Sequence, residues 1–268
     1  MSDLFDMPCE CDSEPAERVR YFPRQLLSAD DLRAEQEYLR EKARRHNRYL
    51  HGWGVVCGCN VEVVAEATTP TVRVCPGYVV APQGDDIQID QCITVDLKTG
   101  AQEQPCSVRW PCPPEGEPPR PQNGRLKAYI AVRYAECYTR PVRVHPAGCG
   151  CDETGCEYSR IRDTFEIKVL WNLPASHEQA RQDDRAWCEA LNGDTSHQLL
   201  REHIYPVPPC PPCPSDPWVV LATVWISSGG KPTGSDNPTP LVTVSYLDRR
   251  VLLSTQRVQT AQLCLPQG

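Results

Sequence analysis

The alternation of apolar and polar residues divides the chain into a helical start and a β-rich remainder. Residues 1–27 are polar and broken by proline, which reads as an extended arm. A helix is predicted over 28–51. Ser28 is a good N-cap, and Asp31, three residues on, can complete a capping box. Asp30, Asp31, Glu35, Glu37 and Glu41 lead while Lys42, Arg44, Arg45 and Arg48 close, which matches the helix dipole at both ends. Gly52 and Gly54, around Trp53, supply the stop.

The apolar positions of this helix form a narrow seam. Leu32, Leu39 and His46 fall at one heptad position and Gln36, Ala43 and Leu50 at the other, giving a coiled-coil stripe with two polar layers. That is narrower than the face a core-docked helix presents. Two readings follow. In one, copies of the chain associate through the seam, with Gln36 and His46 setting register. In the other, the helix lies on its own β domain with Tyr38, Tyr49 and Leu50 turned inward.

Beyond Gly54 the period becomes two. Residues 55–65, 71–75, 78–81, 86–90 and 92–97 read as short strands, with Pro76-Gly77 and Gln83-Gly84-Asp85 as turns, so 52–104 form a first small β unit. Residues 105–123 hold 7 Pro, which forbids regular structure and marks 105–124 as a linker. A second β unit spans 125–257, with strands at 125–135, 142–145, 164–171, 218–226, 241–246 and 251–254. A helix at 175–191 is inserted in it, with Ala180, Trp187 and Leu191 at helical intervals, and a Pro/Cys strap covers 206–217. Residues 229–240 read as a long loop tip and 258–268 as a tail. The expected fold class is mainly β (α+β): an N-terminal arm and long helix, then two small β-sandwich or barrel-like units with Pro-rich excursions.

Charge and hydropathy narrow the function. Lys and Arg number 28 against 35 Asp and Glu in 268 residues, a net charge of −7, so a general nucleic-acid binder, which needs a cationic face, is not expected. The run Arg44-Arg45-His46-Asn47-Arg48 reads as a solvated basic helix end. No apolar run approaches the roughly 18 to 20 residues of a membrane helix, and the first residues lack the basic and apolar regions of a secretion signal. Cytoplasmic assembly, within an intracellular or lysis-released particle, is the expected location.

The 16 cysteines leave three chemistries open. Cys9 and Cys11, Cys57 and Cys59, Cys149, Cys151 and Cys156, and Cys210 and Cys213 are closely spaced. Residues two apart on a strand are poorly placed to bond one another, so each pair needs outside partners: other thiols, or a shared Zn²⁺ in a four-thiolate site. Cys149, Cys151, Cys156, Cys210 and Cys213 are the zinc candidates, five thiols for four places. Disulfides and reduced buried thiols are the alternatives.

Enzymatic motifs fail on inspection. Cys151-Asp-Glu153 followed by Cys210-Pro-Pro-Cys213 resembles the zinc nucleobase deaminases, but Pro211, Pro212 and Pro214 deny the helix those enzymes need there. Gly52-Trp-Gly54 does not follow a strand, Gly229-Gly230-Lys231 runs into Pro232, and His177-Glu178 lacks a second His at Arg181. No catalytic residue is expected, and no cofactor apart from that zinc candidate.

Two runs carry a family resemblance: Arg20-Tyr-Phe-Pro-Arg-Gln-Leu-Leu-Ser28-Ala-Asp-Asp-Leu32, and Arg44-Arg-His-Asn-Arg-Tyr-Leu-His-Gly-Trp-Gly-Val-Val-Cys-Gly58. With the Pro76-Gly77 turn inside 72–87 and the stretch Cys210-Pro-Pro-Cys213-Pro-Ser-Asp-Pro217-Trp218, the sequence resembles structural proteins of phage-tail-like contractile injection systems. More loosely it resembles tail-fibre attachment and baseplate-periphery proteins. The resemblance implies a non-enzymatic subunit, a homo-oligomer with a trimer favoured, docked on other particle subunits; because the sequence has no repetitive shaft, a peripheral baseplate, fibre-base or cage component is expected rather than a receptor-binding fibre. The competing expectations are the deaminase-like zinc enzyme and a secreted, disulfide-stapled binding module.

Overall fold

A computed structural model describes residues 17–64, 69–98, 125–143, 156–192, 210, 214, 216–227 and 241–258. Helix α1, Ala29–His46, begins where the capping box places it: the Asp31 amide donates to Ser28 Oγ at 3.1 Å and the Ser28 amide to Asp31 Oδ2 at 2.8 Å. The Ser28 hydroxyl donating to Asp31 Oδ2 at 2.7 Å, and after it the Ser28 amide on the same oxygen, hold the Asp31 carboxyl below its ordinary value. The helix widens into a π-turn over Asn47–His51, closed by the Gly52 amide donating to the Asn47 carbonyl at 2.9 Å. Gly52 ends it at φ +79°.

The first β segment is a creased three-stranded meander. Strands β1 (Gly54–Gly58), β4 (Gly77–Val80) and β5 (Asp86–Ile89) form one antiparallel sheet; β2 (Val61–Val63), β3 (Thr71–Val74) and β6 (Ile93–Asp96) form another. β1 runs into β2, β3 into β4 and β5 into β6, so each long strand bends from one sheet to the other at the same level. The Pro76-Gly77 signal therefore marks a corner between sheets and not a hairpin. The Cys59 amide donates to the Pro76 carbonyl at 3.0 Å, and the Cys75 amide to the Asn60 carbonyl at 2.8 Å, stitching the crease.

The second segment forms a four-stranded antiparallel sheet in the order β10-β9-β7-β8, from β7 (Arg125–Arg143), β8 (Cys156–Leu170), β9 (Val219–Ser227) and β10 (Leu241–Ser245). β7 and β8 are longer than their apolar patterns suggest. Of the stretch expected at 142–145, residues 142 and 143 are the end of β7 and the other two lie outside the described residues; β8 begins eight residues before 164. Along β7, β9 pairs only with residues 125–132, so beyond them β7 and its β8 partners form a two-stranded ribbon with Tyr138, Tyr158 and Ile161 exposed. From Tyr138 to Val142 and from Glu157 to Asp163 no side chain is buried, and a ribbon end without a dry face has no reason to alternate, which is why the period is silent there. Residues 251–254 are no strand: Val251 makes one isolated bridge to Val55.

Buried residues from both segments join in one core: Val72, Val74, Val79, Ile87, Ile89 and Val95 from the meander, Ile130, Val132, Ile167, Val219, Leu221 and Val224 from the sheet. The linker expected at 105–124 lies outside the described residues, as do the tail from 259 and most of the strap. β-Structure predominates, in several small antiparallel sheets, and among the described residues no sheet closes, so the barrel-like alternative gives way to open sheets.

The start of helix α2, Ala175–Asn192, is held by polar side-chain contacts. Pro174 before it cannot cap, and Asp216 takes that role from a distance, accepting from the Ser176 amide at 2.8 Å and its hydroxyl at 2.9 Å. His177 is 3% exposed. It answers a defect in β9: the register with β7 slips between Ile130 and Ala131, leaving Leu221 as an extra residue. The Val220 amide so freed donates to His177 Nε2 at 2.9 Å, and the Leu221 carbonyl accepts from Arg249 Nε at 2.6 Å. Trp53 packs edge-on to His177, centroids 4.7 Å apart.

Candidate assembly surface

Along α1 the usual division of labour is inverted. No α1 residue is buried. The face toward the body is a polar stripe at helical spacing, Glu37, Arg40, Glu41, Arg44 and Asn47. Arg44 Nε meets Asp85 Oδ1 at 2.6 Å and its Nη1 meets Glu41 at 2.6 Å; Arg40 pairs with Glu136 on β7. Asn47 Nδ2 donates to the Gly84 carbonyl at 2.8 Å and to Asp86 at 3.0 Å. Burial raises the Asp85 carboxyl above its ordinary value even with Arg44 beside it. The β4–β5 turn comes so close that a Cβ on Gly84, at φ +98°, would stand 2.2 Å from the Arg44 carbonyl oxygen.

The seam lies roughly a third of a turn round the helix from this stripe. Leu32, Gln36, Leu39, Ala43, His46 and Leu50 are all exposed, Leu39 at 59% and Leu50 at 70%. Leu50 sits in the π-turn, where the heptad phase slips. The alternative in which Tyr49 and Leu50 pack inward does not hold for these two residues, because the polar stripe already occupies the facing side; Tyr38 is half-buried. The arm runs back beside the seam. Tyr21 bonds Glu35, which raises the Tyr21 hydroxyl pKa, and a groove of about 380 Å³ opens between Arg18, Arg20, Tyr21, Tyr38 and Leu39. Just before the helix, Leu26 and Leu27 are exposed as well.

The metal candidates are not brought together in what is described. Cys149, Cys151, Glu153 and Cys213 lie outside the described residues, Cys156 opens β8, and Cys210 is an exposed free thiol. Among the described residues no group of three or more His, Cys, Asp or Glu is arranged to hold a metal ion. Cys137 on β7 is disulfide-bonded. A different set gathers at the meander crease: Cys57, Cys59, Cys75 and Cys92, all free thiols. Only the Cys57-Gly-Cys59 pair stood out in the sequence; Cys75 and Cys92 are each isolated there and meet through strand register. The stripe under α1 was likewise hidden among the surface charges, although its spacing, with 37, 40, 41, 44 and 47 on one face, was legible.

No protein-family model matches this chain, and no curated protein matches it. No helix among the described residues is long and apolar enough to cross a membrane.

Proposed function

We propose that this chain is a structural, non-enzymatic subunit that associates with copies of itself through the α1 seam. The observation that carries the reading is the inverted helix: ion pairs hold α1 to the body while its leucines face solvent. A second copy is the occupant that fits. The spacing is that of a self-complementary heptad stripe, and Gln36 and His46 are polar layers of the kind that fix register. The seam from Leu32 to Leu50 is about 27 Å long, under three heptads, so association through it alone is weak, on the order of micromolar. A trimer is the favoured state. The resemblance to contractile injection systems supports a place at the baseplate periphery, fibre base or cage of such a particle, assembled in the cytoplasm. The two β segments are read as sandwich-like units within it.

Sedimentation of the full chain tests this. Self-association is expected at tens of micromolar, and Leu39→Glu should abolish it with the far-ultraviolet circular dichroism unchanged, because Leu39 is mostly exposed in the single chain and touches no core residue. A wild-type chain that stays monomeric at several hundred micromolar overturns the reading.

A further inference from the structure

The crease holds a site that sequence spacing does not reveal. β3 and β6 pair antiparallel with Val74 opposite Ile93, so Cys75 and Cys92, one step beyond, stand opposite one another. The Cys75 amide is spent on Asn60 of the β2 side, so toward β6 this is a non-hydrogen-bonded position. At such positions Cα atoms lie roughly 4.5 Å apart, with side chains at their closest, inside the window a disulfide accepts. The two thiols are within hydrogen-bond reach of each other, and Glu62 also reaches Cys75. Both are free, Cys92 exposed and Cys75 half-buried.

We propose that Cys75 and Cys92 form a reversible dithiol–disulfide site that reacts with low-molecular-weight disulfides. Cys92, the accessible thiol, attacks as thiolate on one sulfur of the disulfide RSSR, forming a Cys92–S–S–R bond and releasing RS⁻. Cys75 then loses its proton and attacks the Cys92 sulfur, forming the Cys75–Cys92 bond and releasing the second RS⁻. The two thiol protons end on two RSH, so the protein dithiol is oxidised by two electrons and RSSR is reduced. Burial pushes the Cys75 thiol up to about 11, which suits it to the second, intramolecular step rather than the first. The bond closes the stretch that carries β4 and β5, and with it the turn on which α1 rests. This inference does not depend on the seam.

Trypsin cuts after Arg73 and after Lys98 and nowhere between, so one peptide carries these two cysteines and no other. The full chain is equilibrated in glutathione buffers of rising oxidised fraction, quenched by alkylation and mapped by mass spectrometry. The expected result is an internal disulfide in that peptide, fully reversed by excess reduced glutathione, with Cys75→Ser leaving Cys92 as its glutathione adduct. Two alkylated thiols at the oxidising end, or either cysteine linked to a third, would overturn the proposal. Hydrogen exchange reads the consequence: amides of 77–89 should exchange several-fold more slowly in the oxidised chain than in Cys92→Ser, and equal rates would refute the restraint on the hairpin.

Discussion

His177 is the group through which acid should first loosen the fold. Its Nε2 accepts from the Val220 amide, which requires a neutral ring with the proton on Nδ1. Burial, with Arg250 and Arg181 adding to it and Asp216 and Asp248 opposing, lowers its pKa from 6.5 to about 4. For a base whose folded pKa is depressed, the unfolded chain binds the proton first. The stability it contributes is therefore whole above pH 6.5, falls as pH drops toward 4, and levels off below that. At about 1.36 kcal/mol per unit, the loss between pH 7 and pH 4 is about 3 kcal/mol, a large part of the stability of an ordinary domain. His177→Gln isolates the effect, because glutamine can still accept from Val220 but does not titrate. It should cost about 1 kcal/mol at pH 7 through the lost Trp53 contact. Urea unfolding of both proteins at pH 7, 5.5 and 4 gives the comparison, in which carboxylates common to both cancel. The stability gap should close and then reverse as pH falls. Parallel curves across that range would refute a neutral, hydrogen-bonded His177.

The docking of α1 makes the next predictions. Gly84→Ala places a methyl on the Arg44 carbonyl and forces a positive φ on alanine, costing about 1–3 kcal/mol and showing as faster amide exchange through the C-terminal half of α1. Arg44→Ala should cost more than Asp85→Ala in urea unfolding, because Asp85, 9% exposed, is left without its cation, whereas Arg44 keeps Glu41. The double variant should cost less than the sum of the two, by on the order of 1 kcal/mol. Arg249→Ala strands the part-buried carbonyls of Leu221 and Cys59 and should lower stability by about 2 kcal/mol, measured the same way.

The parts of the fold legible in the sequence are those where one local rule acts alone. Ser28 and Asp31 gave the start of α1, Gly52 its end, and the Val and Ile alternation from 71 to 96 gave the meander strands, because each needs only neighbours within a few residues. The ribbon was legible only in part, as a separate strand at 142–145, since Arg140, Pro141, Arg160 and Arg162 lie where no dry side enforces a period. The crease was missed for another reason: bending three strands at one level is a property of register, and Cys59, Asn60, Cys75 and Pro76 become partners only once β2 and β3 are aligned. His177 looked like a scattered histidine because the amide it serves is freed by a bulge 43 residues away. For the assembly surface, spacing marked the leucines, while the polar stripe that keeps them outward was visible only as surface charge.

Energetics give those leucines their meaning. Burying a leucine is worth about 1.5–3 kcal/mol, and the single chain leaves half or more of Leu32, Leu39 and Leu50 exposed. Of the ion pairs that seat α1, Arg40–Glu136 and Arg44–Glu41 are only partly shielded, so their net contribution is smaller and shrinks with salt, whereas Arg44–Asp85 is largely buried. On the proposed reading, a helix seated by polar contacts and carrying half-exposed leucines would gain its further apolar burial from a second copy. Assembly would then also order α1, since burial of the seam adds to the stripe instead of competing with it, and salt that weakens the stripe would leave the leucine contacts intact.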